Sequence, residues 1–266
     1  MDVVNLGDID VAFRAAGGGD RTLVMIHGLG QDHRMWAEIQ DQLSEYRTIA
    51  YDLRGHGGST VGDGEGSLTQ LGGDLIALLE RFGPAVLVGF SLGGSIALWA
   101  AAERPDLVQG VVAVATSSVV GRAAAAAIEE RIETFEKGDA GEIYAQILED
   151  TEAQLASGEA DAAAVSAERA AAVRDPRGYV NAARAVRGMH EESLNVRLTA
   201  IASPVLIVSG ERDAWCPRRA AEIMLEHLPQ GASFEELAGV GHLVNEDAPD
   251  LLTAVVREWL KGKETR

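Results

Sequence analysis

Cysteine is almost absent from this 266-residue chain, which contains one, Cys216. A single cysteine excludes an intramolecular disulfide and leaves no cysteine cluster for a structural zinc or an iron–sulfur site. Basic residues are also scarce, because 23 lysines and arginines stand against 41 aspartates and glutamates, a formal net charge of −18. Such a chain repels nucleic-acid phosphates and anionic membrane surfaces, so neither is expected as a partner.

Long hydrophobic runs are missing too. No apolar stretch has the length needed to cross a membrane. The opening residues, MDVVNLGDIDVAFRAAGGGD, lack the basic and apolar regions of a signal peptide. The sequence therefore predicts a cytoplasmic location, and it is compatible with a homo-oligomer.

Short apolar segments of strand type recur along the chain, which is 47 % apolar. The first two, around Val3 to Asn5 and Ile9 to Ala15, are separated by LGD and predict an antiparallel hairpin. Six more follow, at Thr22–Gly28, Arg47–Asp52, Pro84–Phe90, Gly110–Thr116, Pro204–Gly210 and Ala232–Leu237. All but the last are nearly continuous apolar runs, as in parallel strands covered on both faces. Because segments of helical periodicity separate them, we expect a parallel sheet with helical crossovers.

The interval between Thr116 and Pro204 contains no convincing strand and is rich in alanine, glutamate and arginine. Low-complexity disorder is one interpretation of this composition. Apolar residues nevertheless recur at helical spacing, as Ile128, Ile132 and Phe135 do, and alanine is the best helix former. We therefore expect an ordered helical insertion.

The stretch from Gly89 to Gly93, GFSLG, has the form G-x-S-x-G and stands between the predicted strand AVLV and a helical segment. In that context the serine is exposed on a tight strand-to-helix turn, and the helix N-terminus lies where an oxyanion would develop. A serine at this position can also be an ordinary helix N-cap. The succession of strand, turn and helix favours Ser91 as a nucleophile.

A serine nucleophile requires a general base, which is held in turn by a third group. His242 follows the last predicted strand, and Asp213 follows the strand before it. Both therefore lie at the carboxyl edge of the predicted sheet, within reach of Ser91. Glu211, two residues before Asp213, is the alternative acid, and Asp213 is favoured.

Four motifs together resemble those of the α/β-hydrolase superfamily, and they span nearly the whole chain. HGLG resembles the oxyanion loop and DLRGHGGS the segment after the fourth strand. GFSLGG resembles the nucleophile elbow, whereas GERDAWCP and GVGHLVNEDAP resemble the acid and base loops. Serine, acid and histidine also follow each other in the order of this superfamily.

The resemblance implies an α/β-hydrolase fold, a mostly parallel sheet flanked by helices with a helical cap inserted after strand 6. The core would comprise residues 1–118 and 197–266, and the cap residues 119–196. The resemblance also implies a role for each site residue. Ser91 would be the nucleophile, His242 the general base and Asp213 the group that orients the imidazole, while the backbone N–H groups of Leu29 and Leu92 would form the oxyanion hole.

The implied reaction is the hydrolysis of a small-molecule carboxylic ester or lactone through an acyl-enzyme. Serine at the elbow argues against haloalkane dehalogenase and epoxide hydrolase chemistry, which use a carboxylate nucleophile in this superfamily. Other interpretations stay open: carbon–carbon bond hydrolysis, cofactor-free perhydrolase or haloperoxidase activity with the same three residues, and a ligand receptor with slow turnover.

Within the superfamily, HGLGQDHRMW and YDLRGHGGS most resemble enol-lactonases acting on 3-oxoadipate enol-lactone and related carboxylesterases. A dianionic product would call for basic residues in the pocket. The inserted segment offers five arginines, Arg122, Arg174, Arg177, Arg184 and Arg187. Taken singly, each is better explained as part of a solvated helix face paired with a nearby glutamate.

No cofactor and no metal are expected. GFSLGGS lacks the lysine of a phosphate-binding loop, no G-x-G-x-x-G follows the early strands, and the segment from His190, HEESL, lacks the second histidine of a zinc protease motif. We expect His27 and His56 to hold loops through backbone hydrogen bonds. His33, His190 and His227 are expected to face solvent.

Overall fold

A computed structural model describes residues 1–156, 158 and 160–264 of the chain. Its centre is one eight-stranded sheet. The strands are β1 Asp2–Asn5, β2 Asp10–Ala16, β3 Thr22–Ile26, β4 Arg47–Tyr51, β5 Ala85–Phe90, β6 Val108–Val114, β7 Val205–Gly210 and β8 Ser233–Leu237. Each strand segment that the sequence predicts forms one of them.

The strands lie side by side in the order β1-β2-β4-β3-β5-β6-β7-β8. β1 pairs antiparallel with β2, as the predicted hairpin requires, and β2 pairs antiparallel with β4. All other pairings are parallel, which confirms the mostly parallel sheet. The carboxyl ends of β5, β6, β7 and β8 therefore lie along one edge, so loops that leave these strands meet there.

Apolar side chains alternate between the two faces of the sheet and form a core on each. Val24 and Ile26 of β3 belong to one core, while Leu23 and Met25 belong to the other. Every residue of β3, β5 and β7 is buried, because helices cover both faces of these strands. The edge strand β8 is partly exposed, which explains its more polar sequence.

Helices fill the intervals between the strands, and within the described ranges none is long and apolar enough to cross a membrane. Outside the β6–β7 interval they are α1 Ala37–Gln42, α2 Leu68–Phe82, α3 Leu92–Glu103, α9 Arg218–His227, α10 Val244–Asp247 and α11 Pro249–Glu264. The leucine periodicity before Gly83 corresponds to α2, which begins after Ser67. The Ser67 side chain accepts a hydrogen bond from the backbone N–H of Gln70.

The described residues between β6 and β7 form five helices, in agreement with the helical insertion that the sequence predicts. They are α4 Arg122–Lys137, α5 Ala140–Gln154, α6 Ala162–Ala172, α7 Pro176–Gly188 and α8 Asn195–Leu198. We call α4 to α7 the inserted helices. They share a small apolar core in which Ile132, Phe135, Ile143 and Ile147 are buried. The expected boundary between residues 196 and 197 falls inside α8.

Candidate active site

Ser91 stands alone between the last residue of β5 and the first residue of α3. Its backbone has φ 50° and ψ −118°, a region that L-residues rarely adopt. The turn is tight, since a Cβ at Gly89 would collide with the carbonyl of Gly93, and one at Gly93 with the carbonyl of Ile26. The Ser91 side chain makes no capping hydrogen bond to α3, which excludes the ordinary N-cap. Its hydroxyl lies beside His242 instead.

The imidazole of His242 joins Ser91 to Asp213. Its Nε2 lies 3.2 Å from Ser91 Oγ, and its Nδ1 lies 2.8 Å from Asp213 Oδ2. His242 and Asp213 are each 4 % exposed. Because an ionised carboxylate can only accept, Nδ1 carries the proton, which leaves Nε2 free to accept the hydroxyl proton of Ser91. The arrangement can therefore move a proton away from the serine.

Asp213 is fixed by its own loop. Its Oδ1 accepts hydrogen bonds from the backbone N–H groups of Trp215 and Cys216, both at 2.8 Å. The alternative acid, Glu211, is exposed, and its carboxylate accepts a hydrogen bond from the backbone N–H of Gly239 at 2.7 Å. The structure thus brings Asp213, and not Glu211, to the imidazole.

The two predicted oxyanion residues line the same cavity as Ser91. Leu92 is the first residue of α3, where a backbone N–H has no acceptor within its own helix. Leu29 lies in the loop after β3. The next residue, Gly30, donates its N–H to Nε2 of His56 at 3.4 Å, which holds this loop in place. Both leucines line the cavity, and their role in an oxyanion hole stays a prediction.

Two buried histidines connect the loop after β3 to the loop after β4. His27 accepts a hydrogen bond from the backbone N–H of Leu53 at 2.8 Å and donates one to the carbonyl of Gly28 at 2.7 Å. His56 donates through Nδ1 to the carbonyl of Arg54 at 3.1 Å. Burial lowers the pKa of both imidazoles, that of His56 to about 4, so both are neutral at pH 7. They hold backbone, as the sequence predicts.

The expectation that His33 faces solvent is wrong. Its Nδ1 lies 2.7 Å from Asp52 Oδ1 and its side chain is 13 % exposed. The hydrogen bond to this carboxylate raises the pKa of His33. The pairing depends on how the loops after β3 and β4 pack together, which no local sequence pattern shows. His190 is exposed as expected, whereas His227 is half-buried.

One group of possible metal donors coincides with the site. Atoms of Asp213, Cys216 and His242 lie within 4.8 Å of one another. The carboxylate and the imidazole are already hydrogen-bonded to each other. Burial raises the pKa of the Cys216 thiol, which therefore stays protonated and is a poor ligand. This set of atoms suits proton transfer better than metal binding.

A cavity of about 680 Å³ opens onto Ser91 and His242. Most of its wall is apolar, but the inserted helices add a polar group of side chains that the sequence analysis missed. This group consists of Arg131 from α4, Asp150 and Gln154 from α5, Arg169 from α6 and Tyr179 from α7. All belong to amphipathic helices rich in charge, so nothing in the sequence distinguishes them from residues that face solvent.

Trp215 forms part of the same wall and was also missed. Its ring stacks on that of His242 with centroids 6.0 Å apart, and the guanidinium of Arg131 lies 5.2 Å from the indole on the side of the inserted helices. The sequence feature that could have identified Trp215 as a residue of the site is its position in the acid loop, two residues after Asp213.

The five arginines considered from sequence do not line the cavity. Arg177 pairs with Asp175, Arg184 with Glu136 and Arg187 with Glu129. The other two are exposed: Arg122 and Arg174. The interpretation as solvated helix faces is therefore the better one for each of them.

Known proteins with similar sequences and structures include several hydrolases. The chain is similar to 3-oxoadipate enol-lactonase 2 of Acinetobacter baylyi, with 27 % identity over 98 % of this chain and 96 % of that protein. It is also similar to 2-(acetamidomethylene)succinate hydrolase of Mesorhizobium japonicum, with 28 % identity over 97 % and 94 % of the two chains. A solved hydrolase from Pseudomonas aeruginosa superimposes with a TM-score of 0.85 and 27 % identity, over 97 % of each chain.

The sequence profile of the alpha/beta hydrolase family matches residues 23–255. This range begins in β3 and ends in α11, and it includes Ser91, Asp213 and His242. The matched range covers most of the chain, and the sheet is mostly parallel and flanked by helices, as the resemblance implies. This chain therefore belongs to the alpha/beta hydrolase family.

Proposed function

We propose that this protein hydrolyses a small-molecule carboxylic ester or lactone, with Ser91 as nucleophile, His242 as general base and Asp213 as the residue that orients the imidazole. One observation carries the proposal. The hydroxyl of Ser91, on a strained turn, lies 3.2 Å from an imidazole nitrogen whose partner nitrogen is hydrogen-bonded to a buried carboxylate. This is the geometry by which a serine hydroxyl becomes nucleophilic at neutral pH.

In the first half of the reaction, Ser91 Oγ attacks the ester carbonyl as its proton passes to His242 Nε2. The N–H groups of Leu29 and Leu92 stabilise the oxyanion, aided by the N-terminal end of α3. The tetrahedral intermediate then collapses, and the imidazolium gives its proton to the departing alkoxide. An acyl-enzyme and a free alcohol result, or a tethered alcohol from a lactone.

In the second half, water takes the place of the alcohol. The water oxygen attacks the acyl carbonyl while His242 Nε2 accepts a proton from the water. When this intermediate collapses, the protonated imidazole returns a proton to Ser91 Oγ. The products are a carboxylic acid and the restored serine, so the reaction consumes one water and needs no cofactor.

In this proposal, residues 119–196, which include the inserted helices, form a cap over a core of residues 1–118 and 197–266. They supply much of the wall of the cavity, and the apolar part of that wall suits the hydrocarbon of a small substrate. The relative named as an enol-lactonase supports a lactone-like substrate.

The test combines a covalent probe with turnover. We expect a fluorophosphonate to label the protein and short 4-nitrophenyl esters to be hydrolysed, and Ser91→Ala to abolish both. Ser117→Ala is the matched control, since Ser117 also lines the cavity but donates its hydroxyl to the carbonyl of Val119. Labelling that persists in Ser91→Ala would overturn the assignment of the nucleophile.

Turnover separates an enzyme from a receptor on the same fold. A kcat of about 1 s⁻¹ or more on an ester or lactone lies in the ordinary range of enzymes. Labelling of Ser91 with turnover far below that value on a broad ester and lactone panel would refute ester hydrolysis. Carbon–carbon bond hydrolysis and perhydrolysis would then be assayed with the same variants.

A further inference from the structure

Arg169 is buried in the wall of the cavity, and no carboxylate of the described residues is in contact with its guanidinium. Its side chain belongs to α6, and the residue is 8 % exposed. Its Nη1 donates to Thr151 Oγ1 at 2.8 Å and to Gln154 Oε1 at 2.9 Å, and both acceptors are neutral. Its Nε has no hydrogen-bond partner. Among residues 1–156, 158 and 160–264, no carboxylate forms an ion pair with it.

A buried guanidinium without a carboxylate is costly, because the charge loses its hydration and gains no opposite charge in return. Burial accordingly lowers the pKa of Arg169, although arginine stays protonated at neutral pH. Another buried arginine, Arg54, shows the usual solution: its guanidinium is 2.7 Å from carboxylate oxygens of both Asp8 and Asp74. Among the described residues, no carboxylate makes such a contact with Arg169.

The neighbouring charges in the cavity wall do not supply such a contact. Asp150 is 8 % exposed in its side chain and is engaged by Arg131, whose Nε donates to Asp150 Oδ2 at 2.9 Å. Arg131 and Asp150 neutralise each other. The charge of Glu246 also acts on Arg169, but among the described residues neither Glu246 nor Asp150 forms an ion pair with its guanidinium.

Arg169 is joined through Gln154 to the loop that carries the general base. Gln154, which accepts the hydrogen bond from Arg169, also accepts one through its backbone carbonyl from the N–H of His242 at 2.8 Å. The indole of Trp215 contacts both the guanidinium of Arg131 and the ring of His242. Arg169 and Ser91 line the same cavity, so one small molecule can contact both.

We propose that Arg169 binds a carboxylate of the substrate, so that the natural substrate is an ester or lactone that carries a second, free carboxylate. The inference rests on the proposed function and adds the class of substrate. A guanidinium can hold a carboxylate through two parallel N–H···O hydrogen bonds, and Nε with the adjacent Nη2 forms such an edge. The carboxylate supplies the charge that the folded protein lacks at this position.

The test compares methyl esters that differ in charge and little else. Monomethyl succinate, glutarate and adipate are each paired with a neutral ester in which an isopropyl group replaces the carboxylate, for example methyl 5-methylhexanoate for monomethyl glutarate. Proton release gives kcat/KM for each. For the chain length that fits best, we expect the wild type to prefer the anionic ester by about tenfold or more, since a charge-assisted hydrogen bond contributes about 1.5–3 kcal/mol.

Substitutions of Arg169 test whether this residue causes the preference for the anionic ester. Arg169→Met keeps the length of the side chain without the charge, and we expect it to reduce the ratio of the two kcat/KM values about tenfold. Arg169→Lys should retain part of the ratio. Arg184→Met is the matched control, because Arg184 is an exposed arginine of the inserted helices that does not line the cavity; its ratio should equal that of the wild type.

A purely structural role for Arg169 gives a different result. If Arg169 only supports Gln154, Arg169→Met lowers kcat equally for both members of a pair and leaves the ratio unchanged, which overturns the inference. If Arg169→Met does not fold, the carboxylate site is tested instead by inhibition of the wild-type protein, measured at fixed ionic strength. Glutarate should then inhibit neutral-ester hydrolysis at a concentration about tenfold below that of glutaramide, and equal inhibition would refute the carboxylate site.

The two proposals fail in distinguishable ways. If neither neutral nor anionic esters are hydrolysed and no fluorophosphonate reacts, the proposed function is wrong. If neutral esters are hydrolysed and the ratio is independent of Arg169, the function stands and only the carboxylate site is refuted.

Discussion

The backbone N–H of His242 donates a hydrogen bond to the carbonyl of Gln154 at 2.8 Å. Gln154 is the last residue of α5, where a helix leaves its final carbonyls without partners inside the helix. The N–H of Leu243 approaches the same oxygen at 3.3 Å. One end of an inserted helix therefore holds the loop that carries the proposed base, so the inserted helices fix the position of the imidazole as well as the wall of the cavity.

The identity of the acid can be tested by comparing two carboxylates from the same loop. We expect Asp213→Asn to lower kcat for ester hydrolysis by roughly 10³–10⁴, because an amide favours the wrong imidazole tautomer. The Glu211 carboxylate accepts a hydrogen bond from the Gly239 N–H and does not contact His242. The kcat of Glu211→Gln should therefore stay within about threefold of the wild-type value. Steady-state kinetics on a 4-nitrophenyl ester measures both. The reverse order of effects would make Glu211 the acid.

The sheet and the three proposed catalytic residues were predictable because each depends on a local pattern. Continuous apolar runs mark strands buried on both faces, and residues that directly follow parallel strands meet at one sheet edge. Ser91, Asp213 and His242 all follow strands in this way. Their mutual distances, 3.2 and 2.8 Å, required the structure.

The polar wall of the cavity was not predictable for a physical reason. Arg169 and Arg184 both lie on alanine-rich helices with charged neighbours, yet one is 8 % exposed and the other pairs with Glu136 at the surface. Which side of an inserted helix faces the cavity is decided by how the helices pack, and periodicity cannot distinguish an inner polar face from an outer one. The pairing of His33 with Asp52 likewise depends on two loops far apart in sequence.

Backbone strain at Ser91 should appear as a gain in stability when the residue becomes glycine. Glycine tolerates φ 50° with ψ −118°, whereas alanine does not. We expect Ser91→Gly to exceed Ser91→Ala in free energy of unfolding by about 1 kcal/mol, measured by chemical denaturation.

Ser95 provides the control for this comparison, because it lies within α3 and its backbone is helical. There the order should reverse, with Ser95→Ala more stable than Ser95→Gly by about 0.5–1 kcal/mol. If the alanine variant is more stable than the glycine variant at position 91 as well, the Ser91 turn stores no strain.

Acid should destabilise the protein through its buried imidazoles. Burial lowers the pKa of His56 from 6.5 to about 4, so between these values the unfolded chain binds more protons than the folded one. The stabilisation is complete above pH 6.5 and is lost as the pH falls to 4, with a slope of at most about 1.4 kcal/mol per pH unit for this group. Denaturant unfolding in steps across this range should show the loss, and His56→Asn should flatten it.

His33 gives the opposite sign and serves as the control. Its pKa is raised by Asp52, so its contribution is complete below pH 6.5 and is lost as the pH rises through the folded value. His33→Asn should therefore lower stability by a constant amount between pH 4 and 6.5, which leaves the acid-side slope unchanged, and should have less effect as the pH rises above 6.5. An acid-side slope that survives in His56→Asn and disappears in His33→Asn would contradict both assignments.

Trp215 should affect catalysis through the position of the imidazole. Its ring contacts both His242, with centroids 6.0 Å apart, and the guanidinium of Arg131, 5.2 Å from the ring centroid. Removing the ring deprives His242 of its stacking partner and Arg131 of a cation–π contact worth about 0.5–2 kcal/mol. We expect Trp215→Ala to lower kcat/KM for neutral esters about tenfold, and Trp215→Phe to restore most of it because a smaller aromatic ring still stacks. If Trp215→Leu performs as well as Trp215→Phe, the indole fills space in the cavity wall and its aromatic character is irrelevant to the base.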